Sequence, residues 1–183
     1  MLWGNNIQMG GGVTTLVERL RRIRISAVSP KKLVAATVED GEHVTIRCGS
    51  TVPGPGDETV VAREVVAVIA RLKSGYDEAF KKIMADHVVQ QPPSRGRRER
   101  LTKRQEALAE AYDTIALVTT SPRRFVKARI QGTGALEVKL RPGAIGRLDL
   151  SNGQLFDEIN ATISDVLQRY HSETMRIQRT VRT

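Results

Sequence analysis

The sequence has a single cysteine, few aromatic residues and no long apolar run. Aromatic residues make up 4% of the 183 residues, so a core must be built mainly from Val, Ile, Leu and Ala. Cys48 cannot form a disulfide within the chain, which favours a reducing compartment. No stretch approaches the roughly 18–20 consecutive apolar residues that span a bilayer, and residues 1–12 lack the basic-then-apolar order of a signal peptide. We therefore expect a cytoplasmic protein without a membrane partner.

Catalytic and metal-binding motifs are also missing from the sequence. The histidines His43, His87 and His171 belong to no H-x-x-x-H or H-E-x-x-H pattern, and the carboxylates show no metal-ligand spacing. Residues 10–15 hint at a phosphate loop, but they lack the Gly-Lys-Ser/Thr ending that such a loop needs. We therefore expect no enzymatic activity, no catalytic residue, no metal, no cofactor and no small-molecule substrate.

Positive charge is in excess, with a formal net charge of +9, and it is unevenly distributed. Residues 1–32 and 88–104 each hold six Lys or Arg against one acidic residue, and residues 169–183 hold four against one. The rest of the chain is mildly acidic. Clustered cations favour a polyanion partner, because each phosphate contact releases counterions. The alternative is a solvated charged surface that only keeps the protein soluble.

The candidate phosphate contacts are the arginines and lysines of these three segments. Arginine forks match phosphate oxygens, and such contacts carry no information about base sequence. Charge alone does not separate DNA from RNA as the partner. The candidate nucleic-acid-binding residues are Arg19, Arg21, Arg22, Arg24, Arg95, Arg97, Arg98, Arg100, Lys103, Arg104, Arg169, Arg176, Arg179 and Arg182.

The strongest pattern in the chain is an internal repeat. Residues 29–38 (SPKKLVAATV) pair with residues 121–130 (SPRRFVKARI) at a constant offset of 92. The same offset continues through a Gly-containing turn and aligns residues 44–48 with residues 136–140. Each block alternates apolar and polar residues, which predicts half-buried strands. The short turn between the blocks predicts an antiparallel hairpin in each copy.

A long helix is expected after each hairpin, at about residues 58–87 and 154–180. The apolar positions of the two helices match at an offset of 94 and form a stripe with helical spacing. Tyr76 and Tyr170 end the two stripes, where core or interface packing is favoured over base stacking. The candidate N-caps are Asp57 and either Ser151 or Asn152.

A shorter helix is expected before each hairpin, over residues 13–25 in the first copy and 100–118 in the second. The loops 49–56 and 141–150 are long enough to contain a short third strand. Each copy therefore reads as a helix, two or three antiparallel strands and a long helix, which predicts an α+β fold.

The second copy resembles the YbaB/EbfC nucleoid-associated proteins. The resemblance rests on Ser121-Pro122, on the strand patterns at residues 126–130 and 136–140, on the loop at residues 141–143, and on the helix after Asp149. The resemblance covers about residues 100–183 well and about residues 13–87 more weakly. The resemblance implies a unit of helix, short antiparallel sheet and long helix. It also implies a homodimer that binds DNA with little or no sequence preference.

The organisation departs from that family, whose unit normally occurs once per chain. We expect a flexible leader at residues 1–12, a first YbaB-like unit at 13–89, a basic Pro- and Arg-rich linker at 90–99 and a second unit at 100–183. The two units are expected to pair within the chain as an internal pseudo-dimer.

Two function classes follow from these patterns. In the first, the protein binds DNA non-specifically as a nucleoid-associated or regulatory protein. In the second, it is a protein–protein adaptor, or an accessory subunit of a larger assembly such as a secretion system, without physiological DNA binding. Self-association and a protein partner stay open in both classes.

Overall fold

The computed structural model describes residues 18–39, 43–85 and 105–181, which form an α+β protein with two small antiparallel sheets. Helix α1 is described from residue 18 to 21 and helix α3 from residue 105 to 113. The remaining elements are β1 (Arg24–Val28), β2 (Val34–Glu39), β3 (His43–Cys48), α2 (Glu58–Ala85), β4 (Ala116–Thr120), β5 (Val126–Gln131), β6 (Ala135–Leu140) and α4 (Asn152–Thr180).

The two sheets have the same strand order and the same register. Their orders are β1-β2-β3 and β4-β5-β6, with every neighbouring pair antiparallel. Arg24 lies opposite Glu39 in the first sheet, and Ala116 lies opposite Gln131 in the second. All paired positions correspond at the offset of 92 that the sequence repeat predicts. The two hairpins predicted from alternation are present as β2–β3 and β5–β6.

A buried serine organises the turn before each hairpin. The Ser121 N–H donates to the carbonyl of Val126 at 2.8 Å, and its Oγ accepts hydrogen bonds from the N–H groups of Phe125 and Val126 at 3.1 Å. In the first copy the Oγ of Ser29 accepts a hydrogen bond from the Val34 N–H, also at 3.1 Å. A short polar side chain therefore satisfies backbone donors that have no partner strand at this corner.

The same turn places a non-glycine residue in the left-handed region of backbone space in both copies. Lys32 has φ of 59° and Arg124 has φ of 61°. This conformation costs about 1–2 kcal/mol for a residue with a Cβ atom. The repeated hydrogen bonds from the Lys32 and Arg124 N–H groups to the Ser29 and Ser121 carbonyls help to hold it.

A buried glutamate on each long helix reaches the same turn. Glu64 Oε2 accepts a hydrogen bond from the Lys31 N–H at 2.7 Å, and Arg123 Nε lies 2.7 Å from Glu158 Oε1. Glu64 and Glu158 correspond at the offset of 94. The Arg123–Glu158 contact is a close ion pair whose N–H is poorly aligned, so neither Glu158 oxygen receives a well-directed hydrogen bond. Both copies therefore anchor the turn to the following helix, with different donors.

The long helices join the two copies through one core. Helix α2 packs on β1 and β2 of its own copy and on β6 of the other, while α4 packs on β4, β5 and β3. The apolar stripes of both helices belong to one continuous cluster of buried residues. The largest fully buried side chains are those of Tyr76, Ile46, Leu72, Ile130, Leu155, Ile159 and Ile163.

The loop after β6 also contacts the first copy. The carboxylate of Glu58, at the first turn of α2, is 6% exposed and accepts a hydrogen bond from the Ile145 N–H at 3.1 Å. A carboxylate is favoured there because the free N–H groups of a helix start are partly positive. Gly146 approaches Pro55 so closely that a Cβ atom would lie 2.7 Å from its ring. A polar contact and a close approach therefore fix this loop against α2.

The predicted N-cap Ser151 is confirmed. Its Oγ accepts from the Gln154 N–H at 3.2 Å, and the Gln154 side chain accepts from the Ser151 N–H at 3.0 Å, which forms a capping box. Asp57 directly precedes α2: its backbone carbonyl accepts from the Val61 N–H at 2.8 Å, and its carboxylate accepts from the Gly54 N–H at 2.8 Å.

The structure corrects the short helices and the position of the third strand. Helix α1 ends at residue 21 and α3 at residue 113, and a five-residue strand follows each of them. The third strand of each sheet therefore precedes the hairpin, and the prediction that it lies in loops 49–56 or 141–150 is wrong. A five-residue alternation is too short to separate strand from helix by periodicity.

Parts of the predicted organisation lie outside the described residues. They include the leader at residues 1–12, the linker at 90–99 and the predicted starts of both short helices. No helix within the described ranges is long and apolar enough to cross a membrane.

Replacing Ser121 with alanine tests the role of the turn. Ser121→Ala leaves two buried N–H groups without an acceptor, so we expect the free energy of unfolding to fall by about 1–3 kcal/mol. Ser29→Ala removes one such bond and should have a smaller effect. The exposed Ser164→Ala on α4 is the control and should change stability by less than about 0.5 kcal/mol. Urea denaturation measures all three, and equal stability of Ser121→Ala and the control would contradict this role.

Candidate nucleic-acid interface

Seven of the fourteen predicted phosphate contacts lie in the part of the chain that the structure describes. These seven are exposed and lie in two groups, at the α1–β1 junction and along the second half of α4. The other seven lie outside the described residues: Arg95, Arg97, Arg98, Arg100, Lys103, Arg104 and Arg182.

The first group lies where α1 gives way to β1. Arg19, Arg21 and Arg22 lie at the end of the helix and in the turn after it, and Arg24 begins the strand. Arg24 is directly opposite Glu39 on β2, which places opposite charges at neighbouring strand positions. Four exposed cations within six residues give this corner a local excess of positive charge.

Two of the three α4 arginines are engaged in contacts within the protein. Arg169 donates from Nη1 to the Val118 carbonyl at 3.0 Å, which ties α4 to the strand β4. Arg176 forms a two-pronged pair with Glu173, which lowers the pKa of that carboxyl and raises the pKa of the guanidinium. Arg179 is exposed, and its side chain contacts no acidic group among the residues described. Of the three, Arg179 is the most available to an external anion.

The structure brings together further cations that were not among the sequence candidates. Lys127 and Arg129 on β5, and Glu137 and Lys139 on β6, alternate with buried positions and lie on the solvent side of the second sheet. We call these four residues the basic sheet face. Lys127 is directly opposite Lys139, and Arg129 is directly opposite Glu137. Three cations therefore surround one carboxylate on two neighbouring strands.

Glu137 balances only part of this charge. Its Oε1 lies 2.9 Å from Lys139 Nζ, and this hydrogen-bonded pair lowers the pKa of Glu137, with Arg129 and Lys127 lowering it further through their charges. The carboxylate is therefore ionised at neutral pH, and the face keeps a net positive charge. The direct Lys127–Lys139 opposition is unfavourable, because like charges repel at the short spacing of a cross-strand pair.

Two more exposed cations lie at the adjoining end of the sheet. Arg124 lies in the β4–β5 turn, and Arg141 follows β6 and donates its backbone N–H to the Phe125 carbonyl at 2.8 Å. Arg147 lies over the Phe125 ring, 5.1 Å from its centre, and its guanidinium pairs with Asp149 at 2.7 Å. Arg124 and Arg141 have no acidic partner within the described ranges, so they extend the positive surface beyond the basic sheet face.

The first sheet lacks an equivalent charged surface. The positions that correspond to the basic sheet face at the offset of 92 are Ala35, Thr37, Thr45 and Arg47. The two copies therefore share strand register but differ in surface charge. The sequence did contain a sign of the basic sheet face, because cations occupy the polar positions of two strands with apolar–polar alternation. These cations are spread over a hairpin, so a search for runs of charge does not find them.

The two tyrosines have different environments. Tyr76 is 1% exposed and packs in the core, so its ring is closed to a nucleic-acid base. Tyr170 is half-buried and lines a cavity of about 470 Å³ between α2, α4 and the second sheet. Burial raises the pKa of Tyr170, and nearby Tyr112 raises it further. Gln178 donates to the Tyr112 hydroxyl at 3.0 Å, so this end of the cavity is polar.

Comparisons of the chain with protein-family models, curated proteins and solved structures found no match in any of the three searches. The YbaB/EbfC resemblance therefore stays a prediction from the sequence pattern. Within the described residues, no three His, Cys, Asp or Glu side chains are placed to hold a metal ion.

Neutralising Glu137 tests the electrostatics of the basic sheet face. Glu137→Gln removes the carboxylate that offsets three cations, so we expect affinity for a duplex of arbitrary sequence to rise by roughly two- to fivefold at about 50 mM salt. Fluorescence anisotropy with a labelled duplex measures the effect. Glu78→Gln, an exposed position on α2, changes net charge equally and is the control. An equal gain from both variants would show that only total charge matters.

Proposed function

We propose that this protein binds DNA without sequence preference, by contacting backbone phosphates, and that its two halves are YbaB-like units paired as an internal pseudo-dimer. The observation that carries the DNA-binding proposal is the basic sheet face. The pseudo-dimer proposal is supported by the packing of each long helix on the other copy's sheet: α2 packs on β6, and α4 packs on β3. A surface normally buried between two chains is then buried between two halves of one.

The geometry of the basic sheet face suits a phosphate backbone. Side chains at directly opposite positions have Cβ atoms about 4.5–5.5 Å apart, and long Lys and Arg side chains project from the sheet toward solvent. Lys127, Lys139 and Arg129 can therefore reach several phosphate oxygens along one strand of a DNA duplex. Contacts of this kind set position without reading bases, which supports binding with little sequence preference.

A merely solubilising role explains the arrangement less well. Charge for solubility can be placed anywhere on a surface, whereas Lys127 and Lys139 lie at directly opposed positions where they repel. The corresponding pair in the first sheet is Ala35 and Arg47, which carries no such repulsion. An arrangement that lowers stability in one copy and not in the other favours a role in binding.

In this proposal, the other exposed cations provide additional phosphate contacts. Arg124 and Arg141 adjoin the basic sheet face, while the α1–β1 arginines and Arg179 supply separate positive regions. The linker cations at residues 95–104 stay candidates on their local charge. The same phosphate chemistry applies to RNA, which a parallel titration with an RNA duplex distinguishes.

The sharpest test of the basic sheet face replaces Lys127 with the amino acid that the first copy has at the corresponding position. Lys127→Ala installs the amino acid found at Ala35, so we expect weaker binding to all duplex sequences and a salt dependence whose slope, log Kobs against log salt, is smaller by about 0.9. The same change removes the Lys127–Lys139 repulsion, so the free energy of unfolding should stay constant or rise by about 0.2–1 kcal/mol. Anisotropy titrations across about 50–200 mM salt and urea denaturation measure the two effects.

Arg47→Ala on the first sheet is the matched control, because it removes one cation from the corresponding face of the other copy. It should leave the salt slope nearly unchanged. Unchanged DNA binding in Lys127→Ala would remove the basic sheet face from the interface. Absence of binding by the unmodified protein even at low salt would contradict the proposed function itself.

A further inference from the structure

Helix α4 closes the free edge of the first sheet. The Asn160 carboxamide donates from Nδ2 to the Ile46 carbonyl at 2.6 Å, and its Oδ1 accepts from the Ile46 N–H at 2.5 Å. One side chain thus makes the pair of hydrogen bonds that a further strand would make. Phe156, one turn earlier on α4, is 4% exposed and packs in the core. The edge of β3 is therefore capped by an amide beside a buried ring.

The corresponding edge of the second sheet is β6, where no hydrogen bond to the Val138 backbone is found among the residues that the structure describes. Helix α2 packs there, but the residues that correspond to Asn160 and Phe156 at the offset of 94 are Val66 and Ala62. Valine cannot donate or accept a hydrogen bond, and alanine leaves the space that a phenylalanine ring would fill. A groove of about 640 Å³ lies between the two elements. It is lined by Thr59, Ala62, Arg63, Val66 and all of residues 136–140.

The register shows which backbone groups face this groove. The Arg141 N–H donates to the Phe125 carbonyl, so Arg141 points its backbone toward β5. Because backbone direction alternates along an antiparallel strand, the N–H and C=O groups of Leu136, Val138 and Leu140 point to the outer edge. Val138 corresponds to Ile46, the residue that Asn160 caps. In the described part of the chain, no side chain or other element bonds to the Val138 backbone on that side.

We propose that the β6 edge is a docking site for an extended segment of a protein partner, which adds to the second sheet as a fourth strand and carries small apolar residues alternating with acidic ones. Unpaired N–H and C=O groups on an edge strand are a template for an incoming strand. The apolar residues of that segment would lie against Ala62 and Val66. This proposal does not depend on DNA binding.

Charge on the groove supports an acidic segment. Arg63 is exposed, it has no acidic partner among the described residues, and it occupies the position of Asp157 in the other helix. The charge at this position is therefore reversed between the closed edge and the open one. On the opposite wall, Lys139 and Glu137 neutralise each other at 2.9 Å. Arg63 thus leaves the groove positive and able to pair with a carboxylate of the added strand.

The test uses the full chain and a fluorescein-labelled seven-residue peptide of alternating glutamate and valine. We expect saturable binding in the roughly 10–500 μM range, which is the weak affinity expected of a short flexible peptide. A peptide of the same sequence with N-methylated central amides cannot pair with an edge strand and should bind at least fivefold more weakly. A lysine–valine peptide should also bind more weakly, because Arg63 repels it.

Two variants place beside β6 the residue types that cover the edge of β3. Val66→Asn supplies the amide that caps Ile46 in the first sheet, and Ala62→Phe supplies the ring, so each should weaken binding of the glutamate–valine peptide at least fivefold. Val66→Thr keeps the shape of valine without reaching the Val138 backbone, and it should bind like the unmodified protein. Arg63→Asp should reverse the preference toward the lysine–valine peptide. Circular dichroism confirms folding of each variant, and Arg63→Asp still tests the site if a core variant does not fold.

Three outcomes would overturn the proposal. The first is no binding of the glutamate–valine peptide by the unmodified protein at about 1 mM, well above the expected range. The second is unchanged affinity in folded Val66→Asn and Arg63→Asp. The third is a concentration-dependent dimer, seen in sedimentation velocity, that Val66→Asn converts to monomer, because the edge would then bind a second copy of this chain. The groove shares Glu137 and Lys139 with the basic sheet face but does not include Lys127. Lys127→Ala should therefore leave peptide binding unchanged while it weakens DNA binding, so failure of one proposal can be told from failure of the other.

Discussion

Each long helix packs across both sheets, and the architecture of the two halves follows from this packing. A three-stranded sheet has one apolar face to cover, and a single helix of either copy covers only part of it. Here α2 covers its own sheet and reaches β6, while α4 covers its own sheet and reaches β3. Neither half can bury its apolar face without the helix of the other, so the two copies share one core.

This shared core explains where the two copies are alike and where they differ. The turn serines, the left-handed turn residues and the buried helix glutamates all recur, because they support the strand corner that both halves need. The solvent face of each sheet and the outer edges of β3 and β6 are under no such constraint. The copies diverge there: Ala35 corresponds to Lys127, and Asn160 corresponds to Val66.

The divergence gives the two halves complementary surface properties. The first sheet has few charges on its solvent face and an edge closed by a side-chain amide. The second sheet carries three cations around Glu137 and has an open groove beside β6. The basic sheet face lies entirely in the second half of the chain, whereas the groove lies between β6 of that half and α2 of the first. The first half contributes the packing that holds them, together with one wall of the groove.

Features that depend on local patterns could be predicted from the amino-acid sequence. Alternation predicted the hairpins, helical spacing predicted the long helices, and Ser151 was one of two N-cap candidates at the start of α4. The constant offset showed that the strands recur in register. The candidate phosphate contacts were chosen from runs of positive charge, and half of them lie outside the described residues. This choice missed the cations that are dispersed along the β5–β6 hairpin.

Features that join distant residues could not be predicted in this way, because they depend on how the elements pack in three dimensions. The strands β1 and β4 are too short to show a period, and their pairing with the following strand defines them. Lys127 and Lys139 become neighbours only when the hairpin closes. Asn160 and Ile46 are 114 positions apart, and their contact exists because α4 packs on the opposite sheet. Local sequence carries periodicity and capping, whereas surfaces and edges arise from which elements the shared core places side by side.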